Sequence, residues 1–182
     1  MAPWYPWFKA AVYALLACNT AVYAISGTLS EALDSVAWLL LLASFELETG
    51  LGGRFAEERL AAVLRGVRFV AAAAIFVAGI GYVLDGEWLD AANVGLWIAV
   101  VALLETEVRY PAFVAGQRAR FTAAAAALYS GLAILALVWL WQGDWFDAYD
   151  AALWLVAFIT IELGLLRKFT REGFPDRAPP AG

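Results

Sequence analysis

The stretch that decides the fold is GEWLDAANVGLWIAVVALLETE, which runs from Gly86 to Glu107. It occurs twice more in related form, as GTLSEALDSVAWLLLLASFELE from Gly27 and as GDWFDAYDAALWLVAFITIELG from Gly143. The segments align without a gap, and such self-similarity predicts an internal repeat. The shared positions hold an acid (Glu31, Asp90, Asp147), an Asp or Asn (Asp34, Asn93, Asp150), a Trp (Trp38, Trp97, Trp154) and a Glu (Glu46, Glu105, Glu162).

Each repeated segment contains the second member of a pair of apolar blocks. A helix needs roughly 20 predominantly apolar residues to cross a bilayer. Only helices and closed barrels cross lipid, and these blocks lack the alternating polarity of barrel strands. We therefore predict an all-α integral membrane protein whose six transmembrane helices form three repeated two-helix hairpins with approximate threefold pseudosymmetry. The blocks are Trp7–Ser26, Leu33–Leu47, Phe69–Leu84, Ala91–Val108, Phe121–Trp141 and Ala148–Leu166.

The composition agrees with this class of protein and excludes several kinds of chemistry. Of 182 residues, 64% are hydrophobic and only 16% are charged, and the mean hydropathy is +0.73. Soluble domains carry about a quarter charged residues. The chain has no histidine, which excludes a histidine general base or ligand, and its one cysteine cannot form an intrachain disulfide. We predict no catalytic residues, no metal site, no cofactor and no nucleic-acid partner.

The sequence divides into one transmembrane domain, 1–182, with internal segments. Repeat 1 covers about 7–50, repeat 2 about 66–110 and repeat 3 about 118–168, and a loose tail covers 170–182. The segment at about 54–65 combines helix-forming residues with an apolar face. It is either a short interfacial helix or the first turns of the third transmembrane helix.

The basic residues predict the orientation. All 12 lie near the N-terminus, in the second and fourth connections or near the C-terminus, whereas the first, third and fifth connections and the adjoining helix starts carry eight acids and no base. By the positive-inside rule, both termini are cytoplasmic and the localisation is the inner (plasma) membrane. The acids on the other side are Glu31, Asp34, Asp85, Glu87, Asp90, Asp144, Asp147 and Asp150.

The acid, the Asp or Asn and the Trp of each repeat share one helix face. At 100° per residue, Glu31, Asp34, Trp38, Phe45 and Glu46 fall within about a third of the circumference. Because lipid is a poor solvent for this face, it should point into the bundle or toward a partner. Acids at helix starts also have a structural explanation, since they suit N-caps, and we favour it over cation gathering. The Trp residues are expected to pack between hairpins or to donate to an acid, in preference to holding a cation or stacking on a ligand.

The repeated Glu46, Glu105 and Glu162 are candidate intramembrane polar sites. Asp34 and Glu46 are twelve residues apart, roughly 18 Å along a helix, so both cannot lie outside a hydrocarbon layer about 30 Å thick. One interpretation is a ring of carboxylates that binds cations or passes protons. The favoured alternative is that each Glu pairs with a cytoplasmic Arg or with hydrogen-bond donors at a helix end, and fixes helix depth. Asn19 and Thr20, polar residues of the first block, are expected to bond a neighbouring helix.

Three functional hypotheses follow from these features. The first is a non-enzymatic accessory, assembly or scaffold subunit, whose partners are the bilayer and other membrane subunits or further copies of itself. The second is a small channel or carrier for protons, cations or a small solute. The third is a membrane enzyme that uses carboxylates such as Asp85 and Asp150, but no nucleophile and base are paired in the sequence. The first hypothesis is modestly favoured.

Overall fold

The computed structural model describes residues 5–50 and 58–172, without the side chains of residues 48–50, 58, 108 and 161–172. Every regular element in this part of the chain is a helix, which confirms the all-α prediction. Six helices are long and one is short. The helices are α1 (Tyr5–Ser26), α2 (Leu29–Gly50), α3 (Glu58–Asp85), α4 (Trp88–Arg109), α5 (Pro111–Gly116), α6 (Arg118–Gln142) and α7 (Trp145–Glu172).

The six long helices form a closed ring in chain order. Each packs against the next, with α4 followed by α6, and α7 closes the ring by packing against α1. The helices α2, α4 and α7 therefore alternate with α1, α3 and α6 around the ring. Buried apolar side chains fill its centre, among them Leu16, Leu42, Val100, Leu132 and Ala157.

The turns into α4 and α7 depend on glycine. Gly86 has a φ of 79° and Gly143 a φ of 93°. This left-handed conformation carries no steric penalty for glycine, whereas a side chain with a Cβ is strained there. The recurring glycine of the second and third repeats thus ends one helix and lets the chain reverse into the next.

The start of α2 is fixed by a capping box instead. The Glu31 amide donates to Thr28 Oγ1 at 3.2 Å, and the Thr28 amide donates to Glu31 Oε2 at 2.5 Å. Glu31 is therefore the third residue of its helix, and Asp90 and Asp147 hold the same place in α4 and α7. The prediction that these acids are N-caps was wrong by three residues. The N-cap of α4, for example, is Glu87 and not Asp90. The acids still lie in the first turn, where they stabilise the helix dipole.

Four helices are long and apolar enough to cross a membrane: α1, α3, α4 and α6. Large apolar side chains are exposed along them, for example Phe69, Leu84 and Leu137, and a soluble protein would rarely leave so many uncovered. The chain is thus a membrane protein by its helices. Helix α2 carries three acids from residue 31 to residue 46, namely Glu31, Asp34 and Glu46. The side chains of α7 are described only as far as Thr160.

Two connections differ from a plain loop. Residues 58–65 are the first turns of α3, while residues 51–57, which hold the start of the segment at about 54–65, lie outside the described part of the chain. The last ten residues of the tail, 173–182, also lie outside it. The fourth connection contains α5, which the sequence analysis did not predict because six residues are too short to show a helical period.

Candidate functional site

Three helices that are not neighbours in the ring turn their polar faces toward one cavity. The helices are α2, α4 and α7, and the cavity, of about 50 Å³, lies at the end of the bundle where they begin, here named the acidic end. All nine residues of the predicted acid and Trp face line it. They are Glu31, Asp34, Trp38, Asp90, Asn93, Trp97, Asp147, Asp150 and Trp154.

The lining residues form layers along the helices. At a rise of 1.5 Å per residue, the Asp or Asn layer lies roughly 4.5 Å and the Trp layer roughly 10.5 Å below the first acid. The cavity is thus acidic near its mouth and aromatic at its floor. Five carboxylates line it, and the described lining holds no Lys or Arg to neutralise them.

A cluster of aromatic rings makes the floor, here named the Trp cluster: Trp38, Trp97, Trp154 and Phe158. The ring centroid of Trp38 lies 6.3 Å from that of Trp97 and 6.4 Å from that of Trp154. Phe158 lies 4.5 Å from Trp97 and 6.3 Å from Trp154, which completes the contact between hairpins. These tilted and edge-on geometries are the favourable ones for aromatic pairs.

Donors from α1 satisfy the carboxylates of α7. Asn19 Nδ2 donates to Asp150 Oδ1 at 2.7 Å, and Tyr23 Oη donates to Asp147 Oδ1, also at 2.7 Å. The predicted interhelical bond of Asn19 is confirmed by this contact. The α7 side of the cavity is therefore hydrogen-bonded within the protein.

The α2 and α4 sides differ. Asp34 Oδ1 is buried and has no hydrogen-bond partner among the described residues. Asn93 Oδ1 is also buried and has no hydrogen-bond partner among the described residues. These two atoms occupy equivalent repeat positions and line the same cavity. Because a buried acceptor without a partner costs about 1–3 kcal/mol, the pair marks a place where an incoming donor gains binding energy.

A wider open vestibule of about 460 Å³ adjoins the cavity and shares Glu31, Asp90 and Asp147 with it. Its rim adds Glu87 and Asp144. Partial burial and the nearby carboxylates raise the pKa of the Glu87 carboxyl group, because a further negative charge is unfavourable there. The vestibule is a region of negative potential that concentrates cations.

The repeated Glu residues have a different environment at the opposite end of the bundle, here named the basic end. Glu46 pairs with Lys9 of α1 and accepts a hydrogen bond from Tyr13 Oη at 2.7 Å. Glu105 is exposed and pairs with Arg109 one turn along α4. Glu162 lies in α7, but its side chain is outside the described part of the structure. The contacts of Glu46 and Glu105 are those expected of residues that fix helix depth.

Sequence reasoning missed several functional neighbours. Tyr23, Tyr82 and Trp139 line the cavity from α1, α3 and α6, and Phe158 extends the acid and Trp face of α7 by one turn. The sequence analysis did not consider Tyr23 and Tyr82, because a polar aromatic residue near the end of an apolar block is typical of a membrane boundary. Their hydroxyl groups could have indicated a polar interior, since a Tyr in a packed region usually finds a partner.

Comparison of the chain with protein-family models, with curated proteins and with solved structures finds no match. The function is therefore argued from the cavity itself. Its chemistry is that of a cation site: carboxylates and amide oxygens at the mouth, and aromatic rings at the floor, which attract cations through their quadrupoles.

Proposed function

We propose that the protein is a small membrane carrier that binds a cation from the extracytoplasmic side in the cavity at its acidic end. One observation carries the proposal: the acid and Trp faces of α2, α4 and α7 meet on a single cavity. Net negative charge, unsatisfied oxygen atoms and aromatic rings coincide there. A site of this kind inside a membrane protein is a functional candidate, because the bilayer makes such groups costly.

The proposal includes the topology. All six long helices would span the bilayer as three hairpins with approximate threefold pseudosymmetry, and both termini would be cytoplasmic. The ring supports spanning by α2 and α7, since it shields the cavity acids of these helices from lipid. The basic residues support the orientation, because none of them lies in the connections from α1 to α2, α3 to α4 or α6 to α7.

A carrier fits better than an open channel because the cavity ends at the Trp cluster. One turn further along α2 and α4, Leu42 and Val100 belong to the buried core, and Ala157 of α7 joins them. A bound cation therefore meets a packed apolar region on its way to the basic end. Transport would need a change of helix packing that opens this region while closing the vestibule.

The inward direction of the polar faces also separates this proposal from an accessory-subunit role. That hypothesis used the acid and Trp face as a docking surface for another membrane protein. Trp38, Trp97 and Trp154 are instead buried against one another at the centre of the ring. A partner would have to contact other surfaces, so the feature that motivated docking supports cation binding instead.

Flux measurements in proteoliposomes test the proposal. Purified protein is reconstituted, and uptake of ammonium, methylammonium, sodium and potassium is followed under an inside-negative potential. We expect at least one of these cations to enter faster than in protein-free liposomes. Asp34→Asn, which removes the carboxylate and keeps an acceptor oxygen at the same position, should reduce that uptake at least tenfold.

Glu105→Gln is the matched control. It also removes one carboxylate from a repeated segment, but from an exposed ion pair at the basic end, so uptake should be unchanged. The proposal is overturned if none of the four cations enters above the background. It is overturned equally if Asp34→Asn and Glu105→Gln retain the same uptake as the unmodified protein.

A further inference from the structure

We infer that the ligand of the cavity is a small primary ammonium ion, whose N–H groups donate to Asp34 Oδ1 and Asn93 Oδ1 and whose carbon atoms lie against the Trp cluster. This inference rests on the proposed function in that the cavity must admit a cation. It goes further because it selects one chemical class among cations. The arguments concern donors, aromatic contact and size.

The first argument concerns hydrogen-bond donors. The α7 carboxylates already accept from Asn19 and Tyr23, whereas Asp34 Oδ1 and Asn93 Oδ1 lack partners among the described residues. The site therefore favours a ligand with at least two hydrogen-bond donors. A primary ammonium offers three N–H groups and a positive charge, whereas a quaternary ammonium offers charge alone. Water also offers two donors, but it gains nothing from the charge of the surrounding carboxylates.

The second argument concerns the floor. Trp38, Trp97 and Trp154 present indole rings to the cavity, and Phe158 completes the aromatic surface. An alkylammonium gains from both the ring quadrupoles and the burial of its carbon atoms. A sodium ion needs a shell of oxygen ligands, which aromatic carbon cannot provide. The mixed polar and aromatic lining therefore favours an organic cation.

The third argument concerns size. A cavity of about 50 Å³ has room for roughly three to five water-sized groups, at about 10–15 Å³ each. Ammonium, methylammonium and ethylammonium fit within that limit. The acidic vestibule outside the cavity is wider and admits them without a change of shape.

Calorimetric titration of the purified protein tests the selection. Methylammonium, tetramethylammonium and sodium chlorides are titrated separately in a potassium buffer of constant ionic strength. We expect methylammonium to bind at least tenfold more tightly than tetramethylammonium or sodium. Equal or tighter binding of either competitor overturns the inference but leaves a cation site in place. No binding by any of the three overturns the inference and counts against the proposed function as well.

Asn93→Leu is the variant that separates a ligand contact from a structural role. Leucine has nearly the same shape, but it removes the buried acceptor. Because that acceptor has no partner among the described residues, the substitution should preserve the melting temperature. Methylammonium affinity should fall about tenfold or more, while Glu105→Gln leaves it unchanged. Unchanged methylammonium affinity in Asn93→Leu contradicts the inference, and if this variant does not fold, the titrations of the unmodified protein decide alone.

Discussion

The acidic and basic ends of the bundle use the same three repeated helices in opposite ways. At the acidic end, the repeated residues of α2, α4 and α7 meet around one cavity, and two of their oxygen atoms have no partner among the described residues. At the basic end, Glu46 and Glu105 each pair with a nearby base. Repetition in a sequence therefore does not imply convergence in space.

The angle along the helix explains the difference. Trp38 follows Asp34 by four residues and stays on the same face, whereas Glu46 follows Trp38 by eight residues and lies about 80° further around α2. That rotation is enough to turn Glu46 from the ring centre toward α1, where Lys9 and Tyr13 meet it. A helix carries a straight polar stripe only over two or three turns.

Removing Trp38 should have the largest effect on stability. This residue is 8% exposed and contacts the Trp side chains of the other two repeats. Trp38→Ala should lower the free energy of unfolding by about 3–5 kcal/mol, because it leaves a cavity at the meeting point of the hairpins. Reversible unfolding in mixed detergent micelles, followed by circular dichroism, measures the change.

Trp141→Ala is the control for that experiment. Trp141 is 89% exposed, so its loss should change the free energy of unfolding in micelles by less than about 0.5 kcal/mol. Equal destabilisation by the two substitutions would mean that the Trp cluster does not hold the hairpins together, and the contrast between the two ends would lose its structural basis.

Breaking an ion pair at the basic end should have an intermediate effect. The Lys9 and Glu46 side chains are 30% and 24% exposed, whereas those of Arg109 and Glu105 are 67% and 54% exposed. Lys9→Met should cost about 1–3 kcal/mol in the same unfolding assay, since it removes a positive partner from a partly buried carboxylate. Arg109→Met should cost less than about 0.5 kcal/mol. A reversed order would show that Glu46 gains little from Lys9.

The smallest effect is a change in pH dependence at the vestibule. The pKa of Glu87 is raised, so the folded protein holds this proton more tightly than the unfolded chain. Protonated Glu87 therefore stabilises the folded protein below the ordinary glutamate pKa, and this contribution to stability is lost as the pH rises through the raised pKa. Glu87→Gln should therefore melt at a higher temperature than the unmodified protein at pH 7.5, with the difference vanishing near pH 3. A difference that is constant from pH 3 to 7.5 would contradict this assignment.

The length and apolar composition of the six blocks were sufficient to predict the six long helices, and helical periodicity predicted the composition of the polar face. Glu31, Asp34 and Trp38 lie within one stripe by spacing alone, and the cavity indeed contains all three. The direction of the stripe could not be obtained this way, because a single helix does not specify what surrounds it. A polar face that points into the bundle and one that points outward have the same sequence pattern, yet they favour different functions.

Contacts between distant parts of the chain were harder to predict. Asn19 was expected to bond some neighbouring helix, but its acceptor, Asp150, is 131 residues away. Lys9 was interpreted only as an orientation signal, although it neutralises Glu46 across 37 residues. Both pairings depend on α1 lying between α2 and α7, and ring closure is a property of the whole chain.

The closing contact between α1 and α7 has a consequence for biosynthesis. The cavity wall is incomplete until α7 has been synthesised and packs against α1, so the acids of α2 and α4 lack their final surroundings until then. At translation rates of about 5–20 residues per second, the 131 residues between Asn19 and Asp150 imply a delay of roughly 7–26 s. During that time the carboxylates of α2 and α4 lack the α7 wall of the cavity.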